Sequence, residues 1–385
     1  MSFLFAALLS SMPVMAGGVL FSPDSSLIDS DAAPQIKQIR AVLIREGEGS
    51  VVAMQAQVEG SGPVAAWVLP VPGGHVGTVK GIGDSHLERL LLATDPYYEG
   101  TIGCVGTGCS SSAADSGASA LVDIREFGSR YQPAQVGVFD SNNLQPMLDE
   151  LAYEGFVIDD KIRLQLADYA GQGWSFAVMR LQSTSTEEDA TPLFAIRSQS
   201  ADLVLPLALS HSTAVTEPLQ VTALIIDEAR RDPEVMQATG VTLGQPLFDP
   251  VLTPEFYEAR VRVAMEEAGG QAWVLEYAGP LFGLADRLAA HESFDAGDPG
   301  KLLERMATKG LLENGTMDGR WITRWRTFLT RDQLVDERFV PVANSAYEVR
   351  ILSSEYLSDS QRGGLPLVLL LPFCGFGWSL RRRRG

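Results

Sequence analysis

From Ile36 the chain alternates apolar and polar residues through IKQIRAVLIRE, turns at Gly47-Glu48-Gly49, and alternates again through SVVAMQAQV to Val58. A period of two on both sides of a glycine turn predicts a β-hairpin. Residues 65–72, AAWVLPVP, are wholly apolar and end in prolines, so they predict a strand buried on both faces or lying at an edge. Asp84 or Ser85 can cap a helix through HLERLLLAT, which stops near Pro96. Gln135–Phe139 reads as a strand, and Asp140 or Ser141 starts a helix through LQPMLDELAYEG. Phe156-Val157-Ile158 leads to Asp159-Asp160, which cap the helix KIRLQLADYAGQG. Strands follow at Trp174–Leu181, Asp202–Leu209 and Leu219–Ile226, the polar loop STSTEEDAT preceding the last two. Thr253 or Pro254 opens the helix EFYEARVRVAMEEAG, and Ala272–Tyr277 returns as a strand. Leu281–His291 and Gly300–Leu312 read as helical, WITRWRTFL as a late strand, and ANSAYEVRIL as one more. The pattern predicts an α+β fold with mostly antiparallel sheets and packed helices, and it contains no internal repeat.

The two ends follow other rules. Met1 to Ala16 is an uncharged, largely apolar run with Val14 and Ala16 placed as the small residues of a signal-peptide cleavage site. Cleavage there leaves Gly17 as the mature N-terminus. No Lys or Arg precedes the run, so the α-amino group has to supply the positive charge, or the true start lies upstream. The competing reading is a buried N-terminal strand or helix. At the other end Gly363-Gly364 opens 18 residues, 363–380, without charge, just long enough for a membrane span, and Arg381, Arg382, Arg383 and Arg384 follow. Four arginines hold their side in the cytoplasm by the positive-inside rule. The competing reading there is a buried C-terminal core helix.

Composition sharpens this picture. The 385 residues are 45% hydrophobic and 20% charged, enough apolar material for one large or two medium cores. The net charge is −18 and Arg381–Arg384 contribute +4, so the stretch 17–362 carries −22. An acidic body argues against nucleic acid as a partner, because phosphate backbones select clustered Lys and Arg. Three cysteines exclude a disulfide-dense scaffold or a cysteine-built zinc site. Cys104 and Cys109 bracket Val-Gly-Thr-Gly inside the Gly/Ser-rich stretch 101–120, a surface loop or linker. An oxidising compartment favours a small disulfide loop; free thiols or a redox or metal pair are the alternatives. The organisation expected is a signal peptide (1–16), an N-terminal β-rich part with one helix (17–100), the loop (101–120) and an α+β domain (121–345). A final strand and linker (346–362), the membrane span (363–380) and a basic cytoplasmic tail (381–385) complete it.

Two resemblances attach to these strings. Gly363-Gly364, the apolar span and the arginine cluster resemble the C-terminal sorting signals of diderm bacteria, the GlyGly-CTERM and MYXO-CTERM types. That resemblance implies retention in the inner membrane, a dedicated sorting protease and delivery to the cell surface; Cys374 lies inside the apolar run, which favours the glycine type. In the body, the AWVLPVP string of residues 65–72, Tyr153-Glu154-Gly155-Phe156, Gly173-Trp174-Ser175-Phe176, Leu205-Pro206-Leu207, and Thr323-Arg324 followed by Phe339 resemble the bacterial domain-of-unknown-function family 2330. Gly17–Pro23 lacks the cysteine pair often found in that family, and Ala208 stands where an Arg often follows Pro-Leu. The resemblance implies export and a fold, with no catalytic residues.

Candidate chemistry is sparse. His75, His86, His211 and His291 are scattered, and no H-E-x-x-H, G-x-S-x-G, Walker A, Ser-x-x-Lys or dinucleotide fingerprint is present, so no catalytic residue, metal ligand or cofactor is expected. Ser210-His211-Ser212 would be a nucleophile beside a base, but neighbours on a strand point to opposite faces. Acidic clusters at Asp24/Asp29/Asp31, Glu187/Glu188/Asp189 and Asp295/Asp298 lack EF-hand spacing and read as solvated turns rather than calcium sites. Arg324, Arg326 and Arg331 alternate with Trp321, Trp325 and Phe328, which reads as a half-buried strand with a charged outer face; stacking on a ligand is the sharper alternative. Trp67, Trp174 and Trp273 read as core residues.

The sequence thus leads to an exported, membrane-anchored or surface-sorted envelope protein, a binding or structural module rather than an enzyme. It sits in the periplasm or at the cell surface, moored through its C-terminus, with the bilayer, an envelope protein and a sorting protease as partners. An extracytoplasmic hydrolase is the runner-up; Asp140, Asp227, Glu228 and His211 converging in one pocket would favour it. A soluble cytoplasmic protein is the third reading and needs both terminal segments to be core elements.

Overall fold

The computed structural model describes residues 18–21, 35–59, 64–78, 84–99, 119–120, 131–183, 189–214, 217–241, 254–284, 319–343, 348–349 and 351–353. Strand β1 (Val19–Phe21) is followed by the expected hairpin of β2 (Gln35–Glu46) and β3 (Gly49–Glu59), then β4 (Val64–Val71) and β5 (His75–Thr78). Helix α1 (Asp84–Thr94) precedes β6 (Tyr97–Glu99), β7 (Ser119–Ala120) and β8 (Tyr131–Phe139). Helices α2 (Leu144–Tyr153) and α3 (Asp160–Gly171) lead into β9 (Ser175–Ser183), β10 (Asp189–Ala190), β11 (Phe194–Ser198) and β12 (Leu203–Leu205). Then come β13 (Leu219–Asp227), β14 (Arg231–Pro233), β15 (Gln237–Gly240) and helix α4 (Pro254–Glu267). The chain continues with β16 (Ala272–Pro280), β17 (Trp321–Leu329), β18 (Glu337–Pro341), β19 (Glu348–Val349) and β20 (Ile351–Ser353).

Two sheets face each other between helices. The smaller has the order β1-β4-β9-β8; the larger runs β15-β16-β17-β13-β2-β3-β11-β5, with β10 and β19 added at β3 and β16. Two further three-stranded sheets, β12-β18-β14 and β20-β6-β7, are not hydrogen-bonded into either, although Leu203, Leu205 and Phe339 of the first pack into the core between them. Alternation sorts the side chains. Ala65, Trp67 and Leu69 of β4 join Ile39, Ala41 and Leu43 of β2 in the core between the sheets. Ala66 and Val68 point the other way, into a cluster with Met147 and Leu151 of α2 and Ile162 and Leu166 of α3. Val42 and Ile44 of β2 meet Leu87, Leu90 and Leu91 of α1 on the outer face of the large sheet, and α4 covers its β16–β17 end. The result is four layers: α2 and α3, small sheet, large sheet, and α1 with α4.

Pairing is mostly antiparallel, as expected; β2 with β13, β15 with β16, and β6 with β20 are parallel. Strands that precede residue 101 and strands that follow residue 120 share both sheets, β2 lying between β3 and β13 and β4 pairing with β9. The apolar β4 is buried along Ala65–Val71, with β1 alongside at Ala66–Val68; Pro70 lies past that strip.

The helix ends explain two of the family strings. At α2, Phe156 N–H donates to Leu151 O at 2.9 Å and Gly155 N–H to Ala152 O at 3.0 Å; at α3, Trp174 N–H donates to Tyr169 O at 3.0 Å and Gly173 N–H to Ala170 O at 2.9 Å. Both are Schellman closures, which demand a left-handed residue, and Gly155 and Gly173 have φ of +91° and +80°. The accompanying apolar contact is present too: Trp174 packs on Tyr169 with ring centroids 4.9 Å apart. Asp159 caps α3 as expected, accepting from Lys161 N–H at 2.6 Å. At α2 no side chain caps; a short 3-10 turn, Ser141–Asn143, intervenes after Asp140.

Two expectations change. The strand expected over Asp202–Leu209 is only Leu203–Leu205, because Pro206 has no N–H for a ladder and Ala208–Ser212 coil into a 3-10 turn. The final strand is split, Glu348–Val349 joining β16 and Ile351–Ser353 joining β6. The helix expected at Leu281–His291 is described only at its start, where a 3-10 turn, Leu281–Gly283, leads into helical Leu284; residues 285–291 lie outside the described residues. Gly300–Leu312 and both terminal segments lie outside the described residues. Among the described residues no helix is long and apolar enough to cross a membrane.

Candidate functional site

The densest charge cluster sits on the outer face of the large sheet, between α1 and α4. On β17 that face carries Ile322, Arg324, Arg326 and Phe328 in register with Ile226, Leu224, Thr222 and Gln220 of β13. Arg324 and Arg326 are 1% and 4% exposed, and so are not on a charged outer face. That corrects the expectation for this strand. Arg324 and Arg326 do alternate with Trp325, but Phe328 shares the arginines' face, Arg331 lies past the strand in a 3-10 turn, and helices cover the face expected to meet solvent.

Two carboxylates make this burial tolerable. Glu276 approaches Arg324 Nε with Oε2 at 2.6 Å and Arg326 Nε with Oε1 at 2.8 Å. It can reach both because β16 bulges between Leu275 and Tyr277, which adds a residue facing the helices. These contacts are close ion pairs whose N–H directions miss good hydrogen-bond alignment. Asp95, just past α1, pairs with Arg324 as well. The same guanidinium donates from Nη1 to Leu91 O at 2.6 Å and lies 3.3 Å from Thr94 Oγ1. Helix α1 has no basic residue in its last turn, so an arginine from the sheet serves the negative end of its dipole. Arg326 lies with its Cζ 5.8 Å from the ring centre of Tyr257 on α4, and Arg262 of α4 sits 3.9 Å over Phe328.

Burial and neighbours pull the titrating groups in opposite directions. Burial raises the Asp95 carboxyl to about 6 despite Arg324 and Arg326. Burial also lowers Arg40, on β2 beside this row, to about 10, with Arg324 adding repulsion and Glu88 and Asp95 opposing it. For Arg324 burial acts downward, but Asp95 and Glu276 outweigh it and the group ends above its ordinary value. Tyr257 is pushed well up by burial and by Glu276. Arg40 and Arg324 therefore stay charged at neutral pH. Arg40 also lines a shallow polar depression with Gln38, Gln55, Gln57 and Ala190.

A second set of carboxylates joins elements at the far end of the sheets. Glu337 accepts from the backbone N–H groups of Glu234, Val235 and Met236 at 2.8–3.0 Å and from Trp273 Nε1 at 3.1 Å. Asp336 accepts from Tyr169 Oη at 2.9 Å and Leu207 N–H at 3.1 Å, tying β18 to α3 and to the Leu205-Pro206-Leu207 string. Burial raises Asp336 to about 7, the two hydrogen bonds opposing. Arg180 of β9 bridges Glu150 and Glu154 of the Tyr153–Phe156 string at 2.6 Å each.

The groups named for a hydrolase do not meet. Asp227 is buried against Arg231, Glu228 and Asp140 are exposed, and His211 donates from Nδ1 to Arg331 O at 2.8 Å. Arg331 follows β17 beyond Leu329, whereas Asp227 pairs with Trp321 at its other end, roughly 25 Å away at 3.3 Å per residue. Ser210 and Ser212 lie in a 3-10 turn rather than a strand; Ser210 Oγ donates to Gly18 O at 3.1 Å and Ser212 Oγ to Leu209 O at 3.1 Å. Trp67 and Trp273 are core residues as expected, and Trp174 is partly buried against the α2–α3 cluster.

The remaining sequence candidates fall elsewhere. Ala16, Gly17, Cys104, Cys109, Gly363, Gly364 and Arg381–Arg384 lie outside the described residues, as do Asp24, Asp29, Asp31, Glu187, Glu188, Asp295, Asp298 and His291. Asp189, His75 and His86 are placed only as backbone, in β10, β5 and α1. Among the described residues no three His, Cys, Asp or Glu side chains are grouped to hold a metal ion. Glu276 and Asp95 were missed by the sequence reading, although a lone acid inside the apolar AWVLEYAGP run was a usable signal.

No curated protein matches the chain. Among solved structures it is similar to baculovirus P35 at 7% identity, covering 53% of this chain and 67% of that one, with a TM-score of 0.31; a likeness so slight carries no argument. The profile of one family does match, over residues 24–334, and the chain belongs to it: the uncharacterized proteins conserved in bacteria designated DUF2330.

Proposed function

We propose that this protein is an exported bacterial envelope module, anchored through its C-terminus in the membrane, that binds another envelope component or serves a structural role. The observation that carries this is the order of segments along the chain. The uncharged run 1–16 ends just before β1, which begins at Val19, so cleavage after Ala16 leaves that edge strand whole. The body follows, and then the apolar stretch from Gly363-Gly364 and the block Arg381–Arg384. The −22 carried by residues 17–362 keeps such a body soluble and away from anionic surfaces. In that compartment Cys104 and Cys109 close a small disulfide loop, and a sorting protease that recognises the glycine pair releases the body to the surface.

A module is favoured over a hydrolase by where the charges lie. Arg324, Arg326, Asp95 and Glu276 face one another under helices, and Asp140, Asp227, Glu228 and His211 are dispersed. A reporter fused after residue 362, with and without residues 1–16, tests export by fractionation. The fusion that keeps residues 1–16 should reach the periplasm and the one without them should stay in the cytoplasm. Cytoplasmic retention of both defeats the proposal.

A further inference from the structure

The outer layer made by α2 and α3 has features that its packing does not use. In the Tyr153–Phe156 string, Glu154 pairs with Arg180, Gly155 supplies the left-handed closure and Phe156 enters the core. Tyr153 is 92% exposed. On α3, Leu164 is 69% exposed, and Val157 in the connection is 38% exposed. Tyr153 follows the buried Leu151 by two residues and Leu164 follows the buried Ile162 by two, about 200° of helical rotation in each case. Both side chains therefore point away from the sheet, on consecutive helices that share one core cluster. Asp149 lies one turn before Tyr153 on α2, and Asp160 and Asp168 lie one turn either side of Leu164 on α3, all exposed. Asp149 accepts from Gln145 at 2.7 Å, Asp160 lies 4.0 Å from the half-buried Arg163, and Asp159 is taken up as the cap of α3 beside exposed Lys161.

We infer that this face docks a cationic amphipathic segment of a partner protein, with apolar side chains seated on Tyr153, Val157 and Leu164 and Lys or Arg meeting the surrounding carboxylates. Charge selects the occupant. An anionic lipid surface is repelled by this rim, and a second copy of the chain brings the same sign of charge to the contact. Exposed apolar side chains with carboxylates one helical turn away are the arrangement that a helix with basic and apolar sides complements. The inference rests on the binding-module reading but not on export, so fractionation and the following experiment fail independently.

The test uses the purified full chain and a short labelled Leu/Lys peptide patterned as an amphipathic helix, with an equally charged Lys/Ser peptide as comparison. The Leu/Lys peptide should bind more tightly, with an affinity that falls as salt rises. The double variant Tyr153→Ser/Leu164→Ser should weaken it about tenfold with an unchanged unfolding midpoint, and Tyr153→Phe/Leu164→Met should bind like the parent. Equal binding of the two peptides, or full binding by the double Ser variant, overturns the inference. So does a dimer, or attachment to phosphatidylcholine vesicles, that the double Ser variant abolishes, since either names a different occupant.

Discussion

Glu276→Ala should destabilise the folded body by about 3–5 kcal/mol, because it removes one partner from a buried charge cluster and leaves two guanidinium groups short of an anion. Against a typical domain stability of about 5–15 kcal/mol this is a large fraction of the total. The geometry explains why one residue matters this much: Glu276 faces Arg324 at 2.6 Å and Arg326 at 2.8 Å from the same bulge. Urea unfolding followed by circular dichroism measures the effect. The quadruple variant Asp95→Asn/Glu276→Leu/Arg324→Met/Arg326→Met, which also neutralises the carboxylate that Arg324 pairs with, separates a missing partner from a missing interaction. Replacing charges together with apolar groups of similar volume is often neutral, so it should recover most of the loss even if Glu276→Ala fails to fold. A loss below about 0.5 kcal/mol for Glu276→Ala, within the range of ordinary surface substitutions, would contradict the cluster's place inside the fold.

That comparison also sets what the cluster is for. Fully buried large apolar side chains contribute about 1.5–3 kcal/mol each, and the four-layer interior is full of them. Desolvation cancels most of the attraction within the ion pairs. Apolar burial therefore holds the layers together, while Arg324 and Arg326 determine where α1 and α4 sit on the sheet. An apolar row at those positions would accept either helix in several placements; Arg324 accepts α1 where its last carbonyls and Asp95 meet the guanidinium.

Glu337→Ala should cost about 3 kcal/mol for a related reason. Its carboxylate is the acceptor for three consecutive backbone N–H groups and an indole N–H, and each buried donor left without a partner costs about 1–3 kcal/mol. Water entering the gap satisfies some of them, which keeps the total below the sum. Glu337→Gln retains one carbonyl acceptor and should lose less. Hydrogen exchange at Glu234, Val235 and Met236 gives the local readout: faster exchange there in Glu337→Ala than in the parent is expected, and unchanged protection contradicts the assignment.

Local chemistry made much of this fold legible. The β2–β3 hairpin, α1, α3, α4, β13 and β17 each carry their period, cap or turn within a dozen or so residues, the scale on which such signals act. The Gly155 and Gly173 closures were readable as strings, though their role as Schellman glycines needed the backbone. Short strands such as β14, β15 and β18 were not legible, since three to five residues carry no period and their partners lie far along the chain, and β12 was expected too long. The arginine row failed for a physical reason. Alternation says which residues share a face, but not whether that face meets water. Asp95 and Glu276, which answer that question, belong to other elements, and only tertiary packing brings them to Arg324.

Arginine modification of the native full chain, read by peptide mass spectrometry, tests most directly whether this charge is interior. Arg338 and Arg262, whose side chains are 48% and 41% exposed, should react with phenylglyoxal while Arg324 and Arg326 stay protected until denaturant unfolds the chain. Modification of Arg324 or Arg326 in the native protein at the rate of Arg338 would mean that the row meets solvent or ligand, and would contradict the account.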